Sequence, residues 1–104
     1  MTQSPATVFD IRFIESALED IAWFRGRDRQ IVFDGIQQQL AHDPLVETRN
    51  RKKLRPNRTA EWEVRIEEVR VFYDGDAEPK IVEVKVVGQK VGSRVFVRGK
   101  EFKV

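Results

Sequence analysis

The sequence predicts an α+β domain: an N-terminal strand, a two-helix hairpin and an antiparallel sheet of about four strands. Three observations lead there. The hydrophobic period is two at the start of the chain, changes to three and four over residues 14–40, and returns to two after residue 60. The 104 residues suffice for one domain, spanning 1–104, and no more. With 40% hydrophobic residues and a net charge of only +2, the chain belongs with folded rather than disordered sequences.

Each element has its own justification. Residues 8–14 alternate, with Phe9, Ile11 and Phe13 on one face and Asp10 and Arg12 on the other, as a strand requires. Ile14, Ala17, Leu18, Ile21 and Phe24 then recur at helical spacing. Ser16 followed by Glu19 fits a capping box at that helix's start, and Gly26 is expected to end it. Asp28 can cap a second helix carrying Val32, Phe33, Ile36 and Leu40. Gly35 inside it costs about 1 kcal/mol relative to alanine. Asp43-Pro44 stops it, because the residue before proline avoids helical angles. So short a link between the helices implies an antiparallel hairpin. Residues 49–58 follow as a loop broken by Pro56. Beyond it, Trp62, Val64 and Ile66 alternate with charged residues, as do Val69, Val71 and Tyr73 with Arg70, Phe72 and Asp74. Asp74-Gly75 reads as the opening of a turn that Pro79 helps close. Residues 81–87 form a β-branched run, and 95–97 and 101–104 read as short strands around Arg98-Gly99-Lys100.

A register follows if Glu67-Glu68 is a two-residue turn. Ile66 then pairs with Val69, Arg65 with Arg70, Val64 with Val71, Glu63 with Phe72 and Trp62 with Tyr73. One face holds Trp62, Val64, Ile66, Val69, Val71 and Tyr73 and must meet the helices. With Ile21, Phe24, Ile36 and Leu40 these residues form the expected core. The other face holds Glu61, Glu63, Arg65, Arg70, Phe72 and Asp74. Two arginines directly opposite each other repel unless an anion satisfies them: Glu63 or Asp74 from within, or a phosphate or partner carboxylate from outside.

Composition excludes several classes. Without cysteine there is neither a disulfide framework nor a cysteine zinc site, and His42 alone cannot build a histidine-rich one. The carboxylates show no cage spacing, so no metal or other cofactor is expected. No apolar run approaches the ~20 residues of a membrane span. Residues 1–7 lack the basic start and apolar stretch of a signal peptide, so a soluble, cytoplasmic domain is expected. The charge is unevenly spread. Residues 49–58 carry six basic residues and no acid, and Lys90, Arg94, Arg98, Lys100 and Lys103 stand against Glu101 in the tail. Such a concentration makes a local field for phosphates or for an acidic protein.

A strand, a helical hairpin, a basic segment and a meander with arginines on its open face resemble the RelE/ParE superfamily of bacterial toxins from type II toxin–antitoxin systems. The matching stretches are residues 13–24, Leu40-Ala41-His42-Asp43-Pro44, Lys53-Leu54-Arg55, the run from Trp62 to Tyr73, and Val86-Val87-Gly88-Gln89-Lys90. They cover about residues 8–98, in the family's order and spacing. The resemblance implies a cytoplasmic toxin held inactive by an antitoxin from a neighbouring gene. It leaves two actions open: ribosome-dependent mRNA cleavage that inhibits translation, or binding to DNA gyrase without a catalytic set. A third reading is a degenerate toxin that no longer cuts RNA, so whether the chain is an enzyme stays open here.

Carried over residue by residue, the family's central arginine matches Arg70 and the basic residue of the preceding loop matches Arg55. The arginine after the glycine falls on Lys90, which keeps the charge but loses the bidentate fork for phosphate. The family's strand lysines fall on Glu61 and Glu63, and its C-terminal aromatic falls near Phe96, which has no proton to give. Arg55, Arg70 and Lys90 are therefore the candidate catalytic residues, acting through charge. Arg51, Lys52, Lys53 and Arg65 are the candidate nucleic-acid contacts. Cleavage by the 2′-hydroxyl also needs a base and an acid. Glu61 or Glu63 as base would be a solution foreign to the family; carboxylates beside arginines more often form ion pairs. His42, next to Asp43-Pro44, reads as a surface residue or a helix C-terminal cation, and Tyr73 as a core residue.

Overall fold

A computed structural model describes residues 8–104; residues 1–7, read above as lacking a leader, lie outside the described residues. The elements in order are β1 (Asp10–Phe13), α1 (Glu15–Ala22), α2 (Gly26–Leu40), β2 (Arg51–Lys53), β3 (Trp62–Ile66), β4 (Val69–Ala77), β5 (Lys80–Val91), β6 (Arg94–Val97) and β7 (Lys100–Phe102). The expected α+β class is observed, with seven strands in the sheet among the described residues instead of about four. Six of them follow the order β2-β3-β4-β5-β6-β7, all antiparallel. β1 pairs in parallel with the first half of β5, Asp10 opposite Ile81 through Phe13 opposite Val84. The long β5 thus serves β1 at one end and β6, at Gln89–Val91, at the other.

The expected β3–β4 register is observed, from Ile66 opposite Val69 to Trp62 opposite Tyr73. The turn is closed by Glu67 in the left-handed region (φ 54°), a conformation that costs a non-glycine residue roughly 1 kcal/mol or more. The face assigned to the core is buried: Trp62, Val64, Ile66, Val69, Val71 and Tyr73 pack with Val82, Val84 and Val87 against Ala17, Ile21, Phe24, Val32, Ile36 and Leu40 of the helices. The Trp62 and Tyr73 rings stack across the strands at 6.2 Å. Helix and sheet approach so closely at Gly35 that a Cβ there would lie 2.5 Å from Ile66 Cγ2. The glycine that weakens the helix locally is what lets it seat.

Several local expectations are corrected. The capping box is absent: Ile14, extended and donating its N–H to Val84 O at 3.2 Å, continues the β1 pairing, so α1 begins at Glu15 with Ser16 already inside it. Gly26 does not end α1 but opens α2, whose N-cap is Arg25, and Asp28 lies in the first turn rather than capping it. Leu18, placed on the apolar helix face, is exposed, because the stripe that meets the sheet runs through Ala17 and Ile21. Asp74-Gly75 is not a turn. β4 continues to Ala77 because residues 74–77 find partners on β5, and Gly75 yields space to Leu45, whose Cδ2 would stand 2.5 Å from a Cβ. The reversal falls at Glu78-Pro79, a cis peptide. The basic segment is not wholly loop: Arg51–Lys53 adds edge strand β2 to β3. No helix among the described residues is long and apolar enough to cross a membrane.

Candidate nucleic-acid interface

Cross-strand pairing puts residues directly opposite one another on the same face. On the face away from the helices, one row therefore holds Lys52, Glu63 and Phe72, and the next holds Arg65, Arg70 and Gly88. Arg65 N donates to Asn50 O at 2.8 Å, which brings the segment before β2 alongside that second row. The result is a trough of about 140 Å³ lined by Arg49, Asn50, Lys52, Glu63, Arg65, Arg70, Lys90 and Val95. Five cations face one carboxylate.

Arg70 forms part of the lining and is buried. Its Nη1 donates to Glu67 O at 2.8 Å and Val69 O at 3.1 Å, and its Nε lies 3.7 Å from Glu63 Oε2. Desolvation, and then the charge of Arg65, lower its pKa from the ordinary arginine value, while Glu63 and Glu68 oppose the shift. Of the two internal counter-ions considered from sequence, Glu63 is thus used. Asp74 is engaged elsewhere: it accepts from Glu61 N at 2.7 Å and faces Lys85 Nζ at 3.7 Å. Glu68 O accepts from Lys90 N at 2.7 Å, so the two-residue turn holds both Arg70 and Lys90 through its carbonyls.

The trough owes its shape to a close backbone contact. A Cβ at Gly88, opposite Arg70, would lie 2.8 Å from Phe96 O and 3.0 Å from Val95 Cγ1. Beyond Gly88 the sheet curls. Phe102 of β7 comes within 5.9 Å of Phe72, ring to ring, and Phe72 is buried although it lies on the face read as open. The C-terminal hairpin therefore walls one side of the trough, and the segment leading into β2 walls the other.

No protein-family model and no curated protein matches the chain. In structure it is similar to a chain of the toxin–antitoxin complex RelBE2 from Mycobacterium tuberculosis, with a TM-score of 0.71 and 23% identity over 85% of this chain and 98% of that one. The fold is of the RelE/ParE type.

On this RelE/ParE-type fold the predicted site residues divide into three groups. Arg70, Lys90, Lys52 and Arg65 converge on the trough. Lys53 and Arg55 line a neighbouring depression of about 430 Å³ with Leu54, Pro56 and Asn57, and Lys52 borders both. Arg51 joins neither. Its guanidinium donates to Gln39 O at 2.8 Å and to Val46 O at 3.1 Å, tying the segment after α2 to the end of that helix. The register explains this, because Arg51 stands opposite Val64 on the core side while Lys52 stands opposite Glu63. Arg49 and Asn50 were not singled out from sequence. Thr48 turns the chain there, its Oγ1 accepting from Asn50 N and Arg51 N at 3.2 Å each, and the Thr48-to-Arg51 spacing was the available signal. The segment beyond β2 is organised too. Asn57 Oδ1 accepts from Thr59 N and Ala60 N, and its Nδ2 donates to Arg55 O and Ala60 O.

Neither histidine nor tyrosine lines the trough. Tyr73 lies in the core, donating its hydroxyl to Pro44 O at 2.6 Å. Phe96, opposite Gln89, has no exchangeable side-chain proton. The arrangement can neutralise a phosphodiester and stabilise added charge on phosphorus. Glu63 is the one carboxylate among the residues that line the trough, and Arg70 Nε lies 3.7 Å from it. Among the described residues no group of three or more histidine, aspartate or glutamate side chains could hold a metal ion.

Proposed function

We propose that this chain is the toxin of a type II toxin–antitoxin pair. Its trough engages RNA phosphates on the ribosome, and it inhibits translation by ribosome-dependent cleavage of mRNA. The observation that carries the reading is the trough: five cations against one carboxylate, set on one sheet face of a RelE/ParE-type fold. A solved structure of similar fold belongs to a toxin–antitoxin complex, which supports a cognate antitoxin as partner. Because one fold hosts many functions, the trough and not the fold supports the RNA target.

In this reading the 2′-oxygen bonds to the phosphorus of the adjacent 3′-phosphodiester and its proton passes to a base. The bond from that phosphorus to the next nucleotide's 5′-oxygen breaks as that oxygen takes up a proton, leaving a 2′,3′-cyclic phosphate and a 5′-hydroxyl. Arg70 and Lys90 stabilise the charge that accumulates on the non-bridging oxygens. Lys52 and Arg65 hold flanking phosphates, and Lys53 and Arg55 extend the track through the neighbouring depression. Glu63 is the trough's candidate base.

A second reading has support of its own. The trough lacks an evident general acid, and Glu63 is already paired with Arg70. These facts favour a same-fold toxin that binds without cutting, with gyrase as the target, or a degenerate one. The test is to express the wild type, Arg70→Ala and Lys90→Ala alone and with the neighbouring gene's product, then incubate each with programmed ribosomes and map mRNA ends. New ends from the wild type that vanish with Arg70→Ala support cleavage. Growth arrest with intact mRNA and trapped gyrase–DNA complexes supports the second reading. Full toxicity of Arg70→Ala would remove the trough as the site.

A further inference from the structure

Asp20 is buried, 3% exposed, on α1, and it does not line the trough. It sits where the edge of β5 has no partner strand among the described residues. β1 covers Ile81–Val84 and β6 covers Gln89–Val91. In the gap between them, Val87 N–H donates to Asp20 Oδ2 at 3.1 Å. A side chain thus replaces the missing strand at one backbone donor, which would otherwise be buried without an acceptor.

The other oxygen faces the C-terminal hairpin. Asp20 Oδ1 lies 2.9 Å from Arg98 Nε, an ion pair without hydrogen-bond alignment, and Arg98 Nη1 reaches Glu19 Oε1 at 3.4 Å. Arg98 and Gly99 form the β6–β7 turn, both with positive φ (49° and 81°). Gly99 comes close to Trp23 at the end of α1. Burial raises the Asp20 carboxyl pKa from its ordinary value, opposed by the Val87 N–H and the Arg98 charge. The hairpin so anchored carries Val95, which lines the trough, stands opposite Lys90 and packs over Gly88 beside Arg70.

We infer that Asp20 and Arg98 are positioning residues for the trough: together they dock the β6–β7 hairpin on α1 and hold the wall formed by Lys90 and Val95 against the floor at Arg70. The inference rests on the reading of the trough as a phosphate site. Neither residue lines the trough, so each acts through the backbone of β5 and β6. The device is a substitute for sheet continuity. Three residue pairs join β5 to β6, and the buried carboxylate adds an attachment at the far end of β6, where the ladder has ended.

The test measures binding of a short, fluorescein-labelled single-stranded RNA across a salt series, together with amide hydrogen exchange, for the wild type, Arg98→Ala, Arg98→Lys, Asp20→Asn and Lys90→Ala. Arg98→Ala is expected to weaken binding about fivefold or more with an unchanged salt slope, because no phosphate contact is removed. Lys90→Ala is expected to lower the slope by about one unit. Arg98→Lys restores part of the loss. Asp20→Asn keeps an acceptor for Val87 N–H, so that amide stays protected while RNA affinity falls as in Arg98→Ala; it also serves if Arg98→Ala does not fold. A slope lowered by about one unit in Arg98→Ala would make Arg98 a direct phosphate contact and overturn the inference. So would faster hairpin exchange with unchanged affinity. If the wild type binds no RNA, the reading of the trough falls. The clamp is then judged by exchange at Lys90 N–H, which is bonded to Glu68 O: acceleration in Arg98→Ala supports it, and no change overturns it.

Discussion

Removing one buried oxygen separates structural from catalytic use of the chain's single tyrosine. Tyr73 is fully buried, stacks on Trp62 and donates to Pro44 O at 2.6 Å; Pro44 is itself buried. Tyr73→Phe keeps the ring and its packing but leaves that carbonyl without its donor. Leaving one buried acceptor unsatisfied costs about 1–3 kcal/mol. For a domain of this size, about 2 kcal/mol lowers the melting temperature by roughly 8–16 °C. The same burial carries a pH signature. Desolvation raises the phenol pKa well above its ordinary value, with the Arg51 charge opposing weakly. An unfolded tyrosine ionises near pH 10 while the native one keeps its proton. Above about pH 10 the native state therefore binds more protons, and stability falls as pH rises. Urea unfolding at neutral pH and along a series to about pH 11 should show the wild type losing this contribution and Tyr73→Phe never having it. Growth arrest by Tyr73→Phe, assayed below its melting temperature, should match the wild type. Lost toxicity in a folded Tyr73→Phe would refute the core assignment and reopen the phenol as a proton donor. Unchanged stability would refute the Pro44 contact.

Four further outcomes are expected. Gly35→Ala should destabilise the fold by thermal melting: the ~1 kcal/mol helical gain is exceeded by overpacking of about 1–3 kcal/mol against Ile66. Arg51→Ala should cost about 1–3 kcal/mol in urea unfolding, yet leave the salt dependence of RNA binding unchanged, since its guanidinium is spent on Gln39 and Val46. Trp62→Ala should cost roughly 3–5 kcal/mol in the same assay. Lys90→Ala should reduce ribosome-dependent cleavage while Lys90→Arg retains or raises it by supplying a bidentate fork, as read from the yield of new mRNA ends.

The sequence by itself determined the class, the core and one long register. Alternation from Trp62 to Tyr73 puts all six apolar side chains on one face if Glu67-Glu68 is the turn, and a slip of one residue would expose them. Neither glutamate is the asparagine or glycine that a two-residue turn favours, and a longer loop would fit the same pattern. That local arithmetic placed Arg65 opposite Arg70 and separated Tyr73 from the charged face, as observed. The basic segment was legible as charge but not as geometry. Only pairing with β3 decided that Lys52 faces the trough while Arg51, one residue earlier, reaches back to α2. Gly75 and Gly88 show the same limit. From sequence, Gly75 after Asp74 reads as a turn and Gly88 only as part of a strand end; in the fold each marks where atoms of another segment, of Leu45 in one case and of Phe96 and Val95 in the other, come too near for a Cβ. Asp20 is the sharpest case. Helical spacing sets it beside Ala17, Ile21 and Phe24, apart from its exposed neighbour Glu19, but only the gap between β1 and β6 on the edge of β5 explains why a carboxylate is buried there, against Val87 and Arg98. Periodic burial is a property of neighbours along the chain. The trough, the curled hairpin and the buried carboxylate depend on contacts between residues far apart in sequence, and only the tertiary structure decides those.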